Sequence, residues 1–143
     1  MGNQQDTISS NTTSYAEISI RGYGLNLDEI TKVFNVNSTR QYKKGDSIDN
    51  SQSVYKCDGW EYGTKKTNSF DLDCLLDEIM DLFDNSRVEN YLNKLKGDII
   101  VNIGFELVIE IEDGNTPGIY FDESFVSFLN RIGASIDVDL YVL

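Results

Sequence analysis

Carboxylates are the side chains of this chain best placed to do chemistry. Asp73, Asp77, Asp81 and Asp84 recur at intervals of four, four and three, with Glu78 beside them. On a helix that spacing gathers them toward one face. Asp137 and Asp139 flank a single residue, which on a strand sets two carboxylates on one face about 7 Å apart. Such groups can serve acid–base chemistry, hold a divalent cation or attract a basic partner. The first two uses lack the usual company. There is no histidine in the chain, and histidine is the common general base near neutral pH and the common metal ligand. No Asp-rich loop of EF-hand type occurs, and no serine or cysteine has a catalytic partner motif. Cys57 and Cys74 have no ligand-like spacing and read as reduced, structural thiols. The expectation is therefore no catalytic residue, no metal and no cofactor. Asp73, Asp77, Glu78 and Asp81 are the candidate partner-binding surface, set against the plainer reading of a solvated helix face. Glu17, Glu106, Glu110, Asp137 and Asp139 form a second acidic set.

Charge narrows the partner. Asp and Glu outnumber Lys and Arg 24 to 12, for a net charge of −12. Nucleic acid and anionic membrane both demand basic patches, so neither is expected. A basic protein fits. The exception to the acidity is the segment Thr39, Arg40, Tyr42, Lys43, Lys44, Gly45 and Asp46. It has two readings: an anion-recognising loop, or a turn capped by Thr39 and Asp46 whose bases offset local acidity. No Gly-rich phosphate cradle accompanies it, which favours the turn. Trp60, the single tryptophan, is likewise either an exposed anchor for a partner or a core plug.

Strands and helices must position these groups. Strict alternation marks Tyr15–Arg21, Ile99–Ile111 and Ile136–Val142 as strands with one buried and one wet face, and a weaker run lies around Val54–Thr64. Gly104 marks a bend or bulge in the longest run. A first helix starts at Asn26, capped with Glu29, and buries Leu27, Ile30, Val33 and Phe34. A second opens near Asp71 and is interrupted at Asp84-Asn85-Ser86, where Ser86 recaps it. A third spans Asp122–Gly133 with Phe125, Val126, Leu129 and Ile132 inward. Half-wet strands exclude a doubly covered sheet. The expected fold is an α+β two-layer sandwich, ferredoxin-like or related, with a largely antiparallel sheet and helices on one face. Residues 1–14 are polar with no apolar signal core, and read as a disordered leader before a single domain over 15–143. With no apolar run of spanning length, the protein is expected to be cytoplasmic.

The Thr39–Asp46 segment, followed by Trp60 and by the alternating Ile136–Val142 strand, resembles the bacterial domain-of-unknown-function 4279 family. Thr39, Lys44, Gly45, Asp46 and Trp60 match its pattern. Ser38 stands where a proline is common, and the Asp84-Asn85-Ser86 break departs from the family's long helix. The family has no established activity. Similar small acidic bacterial proteins often act as immunity proteins beside secreted toxins. The resemblance therefore implies a protein that neutralises a basic toxin domain.

Overall fold

The computed structural model describes residues 9–143. In chain order it contains β1 (Ser9–Gly22), α1 (Leu27–Phe34), β2 (Arg40–Tyr42), β3 (Asp58–Gly63), β4 (Thr67–Ser69), α2 (Asp73–Phe83), α3 (Ser86–Asp98), β5 (Val101–Ile111), α4 (Glu123–Ile132) and β6 (Ala134–Val142). The strands form one sheet in the order β2-β3-β1-β5-β6, with β4 also paired to β1. Every pairing is antiparallel except β5 with β6, which run parallel and are joined through α4. This is the expected α+β class, a mostly antiparallel sheet with helices packed against it.

Alternation decides which face the helices take. Ala16, Ile18 and Ile20 of β1 and Ile103, Phe105, Leu107 and Ile109 of β5 are buried on one side. The apolar stripes of α1 (Ile30, Phe34), α2 (Leu75, Leu76, Ile79, Phe83) and α4 (Phe125, Phe128, Leu129, Ile132) close over them. Each such side chain contributes about 1.5–3 kcal/mol by leaving water. Aromatic rings tie the layers together: Phe34 stacks on Trp60 at 5.2 Å and meets the Phe83 ring edge-on at 5.1 Å. Local signals set the helix ends. The side chains of Asn26, Asn85 and Asp122 accept from the amides of Glu29, Val88 and Phe125, and left-handed Gly133 (φ 67°) turns α4 into β6.

Several expectations need correction. Residues 9–14, read as the end of a disordered leader, are the first part of β1; residues 1–8 lie outside the described residues. The polarity of that stretch is met by bonds: Thr12 Oγ1 donates to the Asn115 carbonyl at 2.6 Å, and Thr13 Oγ1 donates to Glu110 at 2.9 Å. Gly104 makes no bulge, because β1 and β5 keep register through Ser19 and Gly104. Asn85, one residue before Ser86, is the cap of α3. Val126 faces outward and Phe128 takes the inward place. Both cysteines are free, but Cys74 is exposed and so is no part of the core.

A buried carboxylate fixes the corner where three segments meet. Asp58, at the start of β3, accepts from the amides of Gly24 (2.9 Å), Leu25 (3.0 Å) and Lys44 (2.9 Å), and pairs with the Lys43 ammonium at 3.5 Å. Burial pushes its pKa up, but those three amides and Lys43 outweigh it and hold the group below its ordinary 3.8. A depressed carboxyl pKa contributes stability above the unfolded value, and that contribution is lost as pH falls below about 4. Asp58→Asn should cost about 2 kcal/mol in urea unfolding at neutral pH, because charge-assisted bonds are replaced by weaker ones. The variant should differ less from wild type near pH 3; an equal deficit at both pH values would contradict an ionised Asp58.

Candidate functional site: the open face of the sheet

The side chains that alternate with the core residues line the other face of the sheet, and among the described residues no helix contributes its apolar stripe there. Register places them in rows. Glu61, Ser19, Gly104 and Ser135 are cross-strand neighbours in one row, and Gly63, Glu17, Glu106 and Asp137 in the next. The small residues of the first row form the floor of a trough of about 250 Å³. Its walls are Glu17, Glu106 and Asp137 on one side and Arg21 with Asn102 on the other. A Cβ at Gly104 would lie 3.0 Å from Ser19 Oγ, so glycine keeps this floor low.

The charges here are unequal. Interaction with the Asp139 carboxylate, then burial, then the charges of Asp139, Glu17 and Asp137 push the Glu106 pKa up to about 7. Glu17 is also raised, by burial and by the nearby Glu61. At the far end Glu110 is lowered, held by hydrogen bonds from Lys66 and Thr13. On the other flank Arg21 pairs with the buried Glu61 at 3.7 Å, under a Tyr42 ring stacked 3.6 Å from Tyr55. The ring lies where a Cβ of Gly59 would stand, so any larger residue at position 59 would displace the Tyr42 ring. The face thus presents carboxylates crowded enough to retain a proton, next to a cation already paired. It can accept cationic groups. Among the described residues no cluster of three or more candidate ligands could hold a metal ion.

The residues singled out in sequence divide between two surfaces and the core. Asp73, Asp77, Glu78 and Asp81 are exposed on α2, on the helical side of the molecule. Glu78 accepts from the Tyr62 hydroxyl at 3.1 Å, and Asp73 and Asp77 border a shallow hollow with Tyr120 and Asp122. Trp60 is 0% exposed and its Nε1 donates to Thr31 Oγ1 at 3.0 Å, so it is a core plug and offers nothing to a partner. The Thr39–Asp46 segment is built into the fold. Thr39 Oγ1 accepts from the Gly63 amide, Lys43 donates to the Leu25 carbonyl and meets Asp58, and Asp46 accepts from the Lys43 amide. Arg40 pairs with Asp49, Lys44 lies over the Tyr23 ring, and Gly45 supplies the positive φ (95°) of the turn. That is the turn reading of the segment. What sequence reasoning missed was the trough: its signal was small residues, Ser19, Gly104 and Ser135, at wet positions of three strands.

Comparison with known families matches residues 11–143 to a domain of unknown function (DUF4279). No curated protein and no solved structure matches the chain.

The Glu106 proton carries a signed prediction. A carboxyl whose folded pKa lies above its unfolded 4.5 contributes stability below 4.5 and loses it as pH rises through about 7. Unfolding free energy should therefore fall between these values with a slope approaching about one proton, facing Asp137, Asp139 and Glu17. Glu106→Gln should flatten that slope and leave the protein more stable than wild type above pH 7. An unchanged slope would contradict the raised Glu106 pKa.

Proposed function

We propose, for a chain that belongs to the DUF4279 family of domains of unknown function, a non-enzymatic binding role: an immunity-type protein that neutralises a basic toxin domain in the cytoplasm. The observation that carries this reading is the carboxylate-lined sheet face, with Glu17, Glu106 and Asp137 on one side of the trough and Asp139 beside Glu106. Like charges held this close destabilise the free protein at neutral pH, and a lysine or arginine seated among them removes the repulsion. The net charge of −12 extends the attraction beyond contact distance. Among the described residues no helix is long and apolar enough to cross a membrane.

The α2 carboxylates give a competing surface, and kinetics separates the two. Complementary fields act mainly on association rate and are screened by salt. The partner captured on the immobilised protein from native lysate at low salt serves as the analyte. Glu106→Lys with Asp137→Lys should slow its association at least about tenfold and flatten the salt dependence. Asp77→Lys with Asp81→Lys should leave association nearly unchanged and stability equal or slightly higher, since it relieves repulsion along α2. The reverse ranking would move the interface to the helix. In cells, the wild-type chain should protect against a toxin encoded beside it, and the sheet-face variant should not. Protection by neither would remove the immunity reading.

A further inference from the structure

The two edges of the sheet are built differently. At one edge β2 has three residues and carries Arg40, and a short edge strand with a cation is a common guard against pairing with another chain. At the other edge β6 runs nine residues, Ala134 to Val142, in unbroken parallel register with β5. It has no proline, no lysine and no bulge. The Leu143 amide bonds to the Ile111 carbonyl, so alternation along the strand turns the backbone groups of Ile136, Val138, Leu140 and Val142 away from β5. Their side chains share the helix-side face with Leu107, Ile109 and Ile111; Ile136 packs in part against the core, but Val138, Leu140 and Val142 are not covered. Leu140 is 54% and Val142 79% exposed. On the opposite face the same strand presents Asp137 and Asp139, next to Glu106.

We infer that the free edge of β6 docks an extended strand of a partner protein whose side chains alternate between cationic and apolar. The partner strand adds to the sheet through the outward N–H and C=O groups of β6. Its Lys or Arg residues fall on the open face beside Asp137 and Asp139, and its apolar residues fall beside Val138, Leu140 and Val142. Cross-strand pairs of opposite charge and of apolar side chains both stabilise such an arrangement. A second copy of this chain is the poorer occupant. An antiparallel pairing over the full strand centres on Val138 and sets Asp137 opposite Asp139, and like charges directly opposite are unfavourable. This inference rests on the reading of a basic protein partner and specifies how that partner is held.

A capped peptide of alternating Lys and Val, N-methylated along one edge to stop it assembling with itself, tests the inference directly. Its companion has Glu in place of Lys. Amide exchange in the isotope-labelled full-length protein is the readout. The Lys peptide should slow exchange at Val138, Leu140 and Val142 at least about tenfold, and the Glu peptide should not. Leu140→Pro removes one outward N–H and should abolish the effect. Asp137→Lys with Asp139→Lys should reverse the preference between the peptides, with circular dichroism confirming the fold. Three results would overturn the inference: slowing that ignores peptide charge, binding that leaves β6 amides unprotected, or protection that grows with protein concentration alone. Binding to the open face without β6 protection would discard the edge and retain the basic partner. Absence of any cationic binding, together with salt-insensitive partner capture, would discard both.

Discussion

Asp58 enters the core as a carboxylate and stays charged there, because three amides and one ammonium converge on its two oxygens. Those groups come from the turn after β1 and from the loop between β2 and β3. Burying a lone carboxylate is unfavourable by several kcal/mol, and only such a full set of donors offsets it. The consequence reaches across the molecule. The corner holds β3 in line with β1, β3 brings Trp60 under α1, and the Trp60–Phe34–Phe83 rings seat α1 and α2 on the sheet. It also gives one base of the most basic stretch of an acidic chain an internal role: the Lys43 ammonium meets Asp58 and the Leu25 carbonyl.

With the helix stripes on one side, the other face of the sheet buries only a few side chains, among them Val108 and Tyr42. Elsewhere it carries small residues in one row and carboxylates in the next. The carboxylates repel, and with burial this raises the Glu106 pKa to about 7. Perturbed ionisable groups of this kind concentrate at functional sites. The parallel β5–β6 pair places that patch at the sheet's long free edge, so charge and backbone donors lie together.

Much of this architecture was legible in the residues. Period-two alternation in Tyr15–Arg21 and Ile99–Ile111 gave both strand and face, and Asn26 marked a helix start by its capping chemistry. The failures have physical causes. Residues 9–14 looked disordered because the partners of the Thr12 and Thr13 hydroxyls, Asn115 and Glu110, lie about a hundred positions away in sequence. Val126 was misplaced because it lies one step, about 100°, from Phe125 around the helix; Phe128 completes the i, i+3, i+4, i+7 stripe with Phe125, Leu129 and Ile132 and meets Phe83 edge-on. Asp58 was unremarkable in sequence, since its donors come from two segments distant from it, the turn after β1 and the loop between β2 and β3. The acidic residues of the open face were visible as a set; the trough they surround was not, because it needs the register of three strands.

Carboxyl-selective labelling with a carbodiimide, read residue by residue by mass spectrometry on the protein alone and with its captured partner, bears most directly on the open face as the binding surface. Glu17, Glu106, Asp137 and Asp139 should lose reactivity in the complex while Asp73, Asp77, Glu78 and Asp81 keep theirs. Protection of the α2 carboxylates with the sheet carboxylates still reactive would contradict the account.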